Sequence, residues 1–188
     1  LYSLTVPTGG GKTLASLRFA LYHAKKNEMS RIIYVVPFTS IIDQNANEVR
    51  KIFNELSERE QKEIVLEHHS NLTPENDTFQ GKLFAENWDA PVIYTTAVQF
   101  LETLFGSGTR GVRRMHQLAN AVIVFDEIQT LPVRIVHLFN NAINFLLDLC
   151  ESTVIFCTAT QPCLDKVEPE KGAVKLSSDH EMMPDVKK

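Results

Sequence analysis

Two groups of residues in this sequence have side chains and spacing that suit phosphate chemistry, and the first lies near its start. It is Val6-Pro7-Thr8-Gly9-Gly10-Gly11-Lys12-Thr13, which follows a short apolar run and opens a helical pattern. Glycines leave backbone N–H groups free to surround phosphate oxygens, and the positive end of the following helix points at the same phosphates. Lys12 can reach the β- and γ-phosphates of a nucleotide, and the Thr13 hydroxyl can bind Mg²⁺. The run predicts a phosphate-binding loop that holds ATP and is made of Pro7, Thr8, Gly9, Gly10, Gly11, Lys12 and Thr13.

The second group is Asp126 and Glu127, which directly follow the most apolar run of the chain, residues 121–125. Hydrolysis of a nucleotide needs one carboxylate near Mg²⁺ and another to activate and orient water. We therefore assign Asp126 to the metal side and Glu127 to the role of general base. An Asp-Glu pair alone is also compatible with a solvated acidic turn, but the phosphate loop in the same chain makes that interpretation weak.

The elements that must position these groups follow from the apolar pattern. Continuous apolar runs of strand length alternate with amphipathic, helix-like segments, and the sequence lacks a series of hairpin signals. Strands are predicted at residues 1–6, 31–36, 64–66, 91–94, 121–125 and 153–157. Helices are predicted at residues 12–26, 40–53, 78–87, 97–105, 110–118 and 133–150, with a turn or short helix at 57–63. This alternation predicts an α/β fold with a mainly parallel sheet and helices on both faces.

Three of the predicted helices have buried faces that the sequence specifies. The first has an apolar stripe of Leu14, Leu17, Leu21 and Ala24, the second has one of Ile42, Ala46, Val49 and Phe53, and the helix at residues 133–150 has one of Val136, Phe139, Ile143 and Leu146. Thr39 or Ser40 is expected to cap the second helix, because both residue types favour that position.

Five polar clusters of the chain each come directly after a predicted strand. Ligands of parallel sheets bind at the carboxyl ends of the strands, so these clusters are expected at one edge. They are residues 7–13, 38–40, Thr95 with Thr96, 126–129 and 158–160. Their shared position is a stronger argument for a site than any single cluster.

The composition limits the class of protein. The chain has 188 residues, which suits one domain, and a net charge of −4, so contact with nucleic acid must be local. Its three cysteines, Cys150, Cys157 and Cys163, lack metal or disulfide spacing and indicate a reducing compartment. The sequence has no apolar run of membrane-spanning length and no signal peptide, which favours a cytoplasmic location without membrane contact.

The phosphate loop begins almost at residue 1. We therefore expect the sequence to be a piece of a longer chain. Residues 1–165 are predicted to form the nucleotide-binding domain, and residues 166–188, which are polar and poorly patterned, a tail or linker with at most one short strand at 173–176.

The motifs together resemble the first motor domain of a superfamily 2 helicase. The tight Pro-Thr-Gly-x-Gly-Lys-Thr form belongs to that class, since the general phosphate-loop pattern would have glycine in place of Val6. The runs Pro-Phe-Thr-Ser-Ile-Ile-Asp-Gln from Pro37, Asp-Glu-Ile-Gln-Thr-Leu-Pro from Asp126 and Thr-Ala-Thr-Gln-Pro from Thr158 resemble the CRISPR-associated helicase-nuclease of type I interference systems. Related DEAH-like translocases share most of these motifs, and the resemblance covers residues 3–164.

The resemblance implies a three-layer RecA-like domain that takes part in ATP-driven movement on single-stranded DNA. It also implies recruitment by an RNA-guided surveillance complex. Thr39, Ser40, Thr95 and Thr96 would lie along the DNA backbone, where hydroxyl and N–H groups bind phosphate without base choice. Thr158 and Thr160 would couple the state of the bound nucleotide to the affinity for DNA. Gln129 would hydrogen-bond the acidic segment to these threonines, at a position where relatives often have histidine.

Two parts of that family are expected outside this sequence. A metal-dependent nuclease domain of the HD type would precede the motor, and a second RecA-like domain would follow and supply an arginine. Because the family hydrolyses ATP between two lobes, we expect the isolated domain to bind nucleotide weakly and to hydrolyse it poorly.

Two other classes of function remain open on the sequence. One is a nucleotide switch or scaffold that binds ATP without moving, which intact Lys12, Asp126 and Glu127 disfavour. The other is a different P-loop enzyme such as a kinase, which would need neither Gln129 nor the Thr-Ala-Thr segment.

Several single residues allow a functional or a structural interpretation. His68 and His69 are adjacent on an extended segment and point opposite ways, which favours structural roles over a shared metal. Trp88 and Tyr94 favour core packing over base stacking. The arginines before the acidic strand suit either a solvated helix face or DNA contact; they are Arg110, Arg113 and Arg114.

Overall fold

The computed structural model describes residues 1–7, 9–69, 79–159, 164, 167, 168, 172–174 and 176–183, of which 79–82, 110 and 178 are described by backbone alone. In this described part of the chain, six strands form one sheet in the order β1-β6-β5-β2-β4-β3, and all five neighbouring pairs are parallel. The strands are β1 (Tyr2–Thr5), β2 (Arg31–Val36), β3 (Val65–His68), β4 (Val92–Thr96), β5 (Ala121–Asp126) and β6 (Thr153–Thr158). The predicted parallel α/β fold is confirmed.

Within the described residues, seven α-helices connect these strands on both faces of the sheet. They are α1 (Lys12–Lys26), α2 (Thr39–Arg50), α3 (Glu58–Ile64), α4 (Phe79–Asn87), α5 (Ala97–Phe105), α6 (Thr109–Met115) and α7 (Val136–Asp148). Short 3₁₀ turns occur at Lys51–Phe53, His116–Leu118, Ile128–Thr130, Val133–Ile135 and Ser178–His180. Among the described helices, none combines the length and hydrophobicity needed to cross a bilayer.

The centre of the sheet is buried on both faces. Strands β2 and β5 are neighbours, and all but their terminal residues Arg31 and Asp126 are buried. Successive side chains of each strand point to opposite faces, so a strand between two helical layers needs apolar residues at every position. That requirement explains why β2 and β5 were recognisable as continuous apolar runs.

The buried face of α1 differs from the predicted stripe. Ser16, Leu17 and Ala20 are buried, whereas Leu14 is 54% exposed and Leu21 is 44% exposed. The phosphate loop fixes the first helical residue, Lys12, toward the edge of the sheet. Ser16 and Ala20 follow it at intervals of four and therefore share its face. The predicted stripe is therefore confirmed at Leu17 and, with partial burial, at Ala24, but it was wrong at Leu14 and Leu21 because the loop sets the rotation of the helix.

The start of α2 also differs from expectation. Phe38 is the N-cap residue, and it makes no side-chain capping hydrogen bond. Thr39 is the first helical residue, so the prediction that Thr39 or Ser40 caps α2 was wrong. The first turn of α2 consequently keeps backbone N–H groups that the helix itself cannot pair.

The described residues of the C-terminal segment pack against the domain. Leu164 and Val174 are buried in the main hydrophobic cluster, and residues 173, 174 and 176 form no strand. Glu181 forms a parallel β-bridge with Ser3 at the free edge of β1, and the Met182 N–H donates to the Ser3 carbonyl at 2.8 Å. The segment therefore covers part of an otherwise open strand edge.

Candidate active site

The phosphate loop joins β1 to α1, and each of its three glycines is required for a backbone reason. Gly9 and Gly11 have φ angles of +81° and +75°, in the left-handed region that residues with a Cβ avoid. Gly10 closes a turn by donating its N–H to the Pro7 carbonyl at 3.0 Å. A Cβ on Gly10 would collide with the Val6 side chain and lie 3.0 Å from the Pro7 oxygen. The loop is thus a tight backbone cradle at the N-terminus of α1.

Lys12 and Glu127 connect this loop to the acidic segment after β5. Lys12 is 8% exposed, and its ammonium forms an ion pair and hydrogen bond with Glu127 Oε1. Glu127 itself has φ +52°, a conformation that is uncommon for a residue with a side chain. Non-glycine residues in this region concentrate at functional sites, where the surrounding structure maintains them.

The pKa values of Asp126 and Glu127 are shifted in opposite directions. Burial raises the pKa of Asp126, and the charge of Glu127 adds to that effect, while Lys12 opposes it. Burial also acts to raise the pKa of Glu127, but hydrogen bonds from Lys12 and Gln129 outweigh it and the pKa is lowered. Neighbouring acids with oppositely shifted pKa values suit different roles in one reaction.

Gln129 links Glu127 to the end of β6. Its amide nitrogen donates to Glu127 Oε2, and its amide oxygen accepts from the Thr158 hydroxyl at 2.5 Å. The Val6 N–H donates to the Thr158 carbonyl at 3.1 Å. Because Val6 directly precedes the phosphate loop, this bond joins the end of β6 to the loop. The structure therefore brings Lys12, Glu127, Gln129 and Thr158 together in one hydrogen-bonded circuit.

These groups fit a magnesium-bound nucleotide. The open cradle offers backbone N–H groups at a helix N-terminus, which suits phosphate, and Lys12 adds a positive charge. Thr13 offers a hydroxyl and Asp126 a carboxylate, both of them oxygen donors of the kind that Mg²⁺ prefers. Thr8, also assigned to the loop, lies outside the described residues.

The residues predicted to contact nucleic acid lie at the starts of two helices on the same sheet edge. Thr39 is partly exposed and Ser40 is exposed in the first turn of α2. Thr96 is the N-cap of α5, where its hydroxyl accepts from the Gln99 N–H at 3.2 Å. Thr95 is fully buried, and its hydroxyl has no hydrogen-bond partner in the described part of the chain. Thr160 lies outside the described residues.

The arginines before β5 have structural contacts that the sequence did not reveal. Arg114 is buried, donates to the Glu86 carbonyl and to the Gln99 side chain, and lies 5.8 Å from the centre of the Trp88 ring. Arg113 lies 3.5 Å from a Glu86 carboxylate oxygen. Arg114 is therefore neither part of a solvated face nor available to DNA. Arg110 is described by its backbone alone.

His68 and His69 contact different parts of the domain. His68 packs edge-on against Trp88, with ring centres 5.6 Å apart, whereas His69 Nε2 lies 3.5 Å from Asp43 Oδ1 on α2. Asp43, Glu67 and His69 could together face one cation, but Glu67 is already paired with Arg50. Trp88 and Tyr94 are fully buried, which confirms their predicted packing role.

Sequence reasoning missed two features near this edge. One is a cavity of about 260 Å³ between the starts of α2 and α5 and the turn after Glu127, with mainly apolar walls that include Phe38, Val98 and Ile128. The other is a set of buried hydroxyl contacts under α1, from Ser16 to Thr13 and Tyr34. A tyrosine in an otherwise aliphatic central strand was the available signal for the second feature.

Comparison with known proteins agrees with this geometry. Residues 2–167 match the DEAD/DEAH box helicase family. The chain is similar to the CRISPR-associated nuclease/helicase Cas3 of Haloferax volcanii, with 27% identity over 205 aligned residues that cover 95% of this chain and 21% of that protein. The chain therefore spans about a fifth of the length of this curated relative.

Solved structures show the same fold. The crystal structure of T. fusca Cas3 with AMPPNP is similar with a TM-score of 0.69 and 21% identity, covering 85% of this chain and 19% of that one. The DUF1998 helicase MrfA bound to DNA and AMPPNP is similar with a TM-score of 0.60 and 19% identity, covering 92% of this chain and 23% of that one. With its phosphate loop, its acidic segment and a family match over most of its length, this chain belongs to the DEAD/DEAH box helicase family.

Proposed function

We propose that this domain is the ATP-binding lobe of a motor that moves along single-stranded DNA in CRISPR interference. The observation that carries the proposal is the circuit from Lys12 through Glu127 and Gln129 to Thr158. It joins the group that would bind the γ-phosphate to the group that would activate water and to the end of a neighbouring strand. A change at the phosphate is thereby communicated to the sheet edge where nucleic acid would lie.

The catalytic roles follow from the contacts. Lys12 would bind the β- and γ-phosphates, which compete with Glu127 for the same ammonium. Thr13 and Asp126 would hold Mg²⁺, which supplies charge neutralisation on the phosphates. Glu127 would accept a proton from the attacking water, and Gln129 would keep its carboxylate oriented. The lowered pKa of Glu127 keeps it ionised, as a general base must be.

The nucleic-acid track would run across the first turns of α2 and α5. Both turns present backbone N–H groups beyond the reach of helical pairing, and Thr39, Ser40 and Thr96 add hydroxyls. Such groups bind phosphate irrespective of base, which suits a motor that advances along any sequence. Because Thr95 is buried, its contribution would be to fix the end of β4 beside Thr96. The net charge of −4 agrees with contact restricted to this edge.

The partners are proposed from the resemblance to Cas3. We propose that a second RecA-like domain of the same protein completes the ATP site, that an HD-type nuclease domain accompanies the motor, and that an RNA-guided surveillance complex recruits it. The isolated domain would then bind nucleotide weakly and hydrolyse it slowly. Another DEAH-like translocase and an immobile ATP switch are the alternatives that the test below separates.

The test is ATP hydrolysis by the full-length protein that contains this domain, with and without single-stranded DNA. We expect strong stimulation by DNA, and loss of the stimulated rate by about 10²- to 10⁴-fold in Glu127→Gln. Glu63→Gln, an exposed carboxylate on α3, is the matched control and should leave the rate unchanged. A rate indifferent to DNA and RNA would reject the motor and favour the switch. Stimulation by DNA without any response to a surveillance complex would favour another DEAH-like translocase.

A further inference from the structure

A chain of hydroxyl groups lies beneath the phosphate loop, between α1 and the centre of the sheet. The Ser16 hydroxyl is 3.0 Å from the Thr13 carbonyl oxygen and 3.1 Å from the Tyr34 hydroxyl. A serine hydroxyl has one proton, and a carbonyl can only accept, so Ser16 donates to Thr13. Tyr34 must then donate to Ser16, which fixes the direction of the whole chain from Tyr34 to Thr13.

The chain is shielded from water. Tyr34 is 1% exposed and Ser16 is 2% exposed. Burial, with a contribution from the neighbouring Tyr94, raises the pKa of the Tyr34 phenol well above its usual range, so the hydroxyl remains protonated and remains a donor. Hydrogen bonds in such surroundings are electrostatically strong, and losing one partner leaves the other unsatisfied.

The end point of this chain is the residue expected to bind the metal. Thr13 is the second residue of α1, directly after Lys12, and its hydroxyl is the Mg²⁺ ligand proposed above. The bond from Ser16 reaches the carbonyl of this same residue and so restrains the peptide group that follows it. A restraint on the Thr13 backbone also restrains the direction of its short side chain.

Tyr94 provides a comparison within the same site. It stands opposite Tyr34 on the adjacent strand β4, and the two rings stack with centres 4.8 Å apart at 12°. Tyr94 is also fully buried, yet its hydroxyl has no hydrogen-bond partner among the residues that the structure describes. The two tyrosines therefore share ring, burial and neighbourhood but differ in the hydroxyl contact.

We propose that Tyr34 is a positioning residue for the metal side of the phosphate loop, acting through Ser16 to hold Thr13 in the orientation that binds Mg²⁺. The proposal rests on the proposed function in one respect, the assignment of Thr13 to the magnesium of bound ATP. The role belongs to the hydroxyl of Tyr34, because this hydroxyl, and not the ring, makes the contact with Ser16.

The experiment measures nucleotide binding by the full-length protein during a Mg²⁺ titration and, separately, in excess EDTA, with a fluorescent ATP analogue as the probe. Tyr34→Phe and Ser16→Ala should each raise the Mg²⁺ concentration for half-maximal binding by roughly three- to tenfold, the effect of one hydrogen bond. Affinity in EDTA should not change, and Tyr94→Phe should behave as the wild type. The double variant should be no worse than the more affected single variant, because both act through one chain.

Three results with the variants would overturn the proposal: an unshifted Mg²⁺ titration in Tyr34→Phe, an equal shift in Tyr94→Phe, or a matching loss of affinity in EDTA. Unfolding temperatures of all variants separate loss of fold from loss of metal affinity, and Ser16→Ala decides the matter if Tyr34→Phe fails to fold. If the Mg²⁺ titration of Tyr34→Phe is shifted but ATP hydrolysis does not depend on DNA, the proposed motor function is rejected and the positioning role of Tyr34 is retained. If nucleotide binding by the wild type does not depend on Mg²⁺, the positioning role is rejected even if DNA stimulates hydrolysis.

Discussion

The ammonium of Lys12 and the carboxylate of Glu127 form an ion pair although the two residues are 115 positions apart in the chain. The pair spans the carboxyl edge of the sheet, from the loop after β1 to the turn after β5. In the proposed function the two members have different tasks, since Lys12 would bind phosphate and Glu127 would activate water. Replacing Lys12 and replacing Glu127 should therefore have opposite effects on nucleotide affinity.

Lys12→Ala should weaken nucleotide binding by roughly 10- to 100-fold, because a charge-assisted hydrogen bond contributes about 1.5–3 kcal/mol. Glu127→Gln should bind at least as tightly as the wild type, because the competing carboxylate charge is gone and Lys12 is free for phosphate. Equilibrium binding of a fluorescent ATP analogue measures both, with the exposed Lys25→Ala as control. If both variants lost affinity equally, the pair would be a structural support of the loop.

Gly10→Ala should destabilise the domain by about 1–3 kcal/mol, the usual cost of overpacking. The added methyl group would meet the Val6 side chain and the Pro7 carbonyl. Denaturant unfolding measures the loss. Val6→Ala removes the obstructing Cγ1 atom, so the double variant should cost less than the sum of the two single variants. Strictly additive costs would show that the Pro7 carbonyl, and not Val6, excludes a side chain at this position.

The strands and the site edge were predictable, and the reason is visible in β2 and β5. A strand covered on both faces must be apolar throughout, so its polar neighbours stand out where it ends. The rotation of α1 was not predictable from its leucines, because the loop before it fixes Lys12. The contacts of Arg114 and Tyr34 depend on how helices and strands stack in three dimensions, which no local pattern encodes. The contact between Glu181 and Thr5 joins residues 176 positions apart and gives no sequence signal.

Stability should depend on pH through His68, which is 9% exposed. Burial, followed by the charges of Arg114 and His69, lowers its pKa from 6.5 to about 4. Between these values the unfolded chain binds a proton that the folded chain refuses. The free energy of unfolding should therefore fall as the pH drops through this range, by up to about 1.4 kcal/mol per pH unit.

His68→Gln should remove that dependence, whereas His137→Gln, at an exposed position on α7, should retain it. Denaturant unfolding at a series of pH values between 7 and 4 is the measurement. An unchanged slope in His68→Gln would assign the acid sensitivity to another group.

Glu181→Gln should destabilise the domain at neutral pH by about 1–2 kcal/mol, allowing for partial exposure of the carboxylate. Glu181 accepts hydrogen bonds from the Ser3 hydroxyl at 2.8 Å, from the Thr5 N–H and hydroxyl at 3.0 and 2.7 Å, and from the Met183 N–H at 3.1 Å. Partial burial acts to raise the pKa of Glu181, but these bonds outweigh it and the pKa is lowered below 4.5. The stabilisation is therefore present above that pH and is lost as the pH falls through the lower folded value. Thermal unfolding at pH 7 and pH 3 is the measurement. The difference in stability between the wild type and Glu181→Gln should shrink in acid, while the exposed Asp179→Asn should show no difference from the wild type. A stability difference that is independent of pH would mean that the carboxylate charge is not what holds this segment to β1.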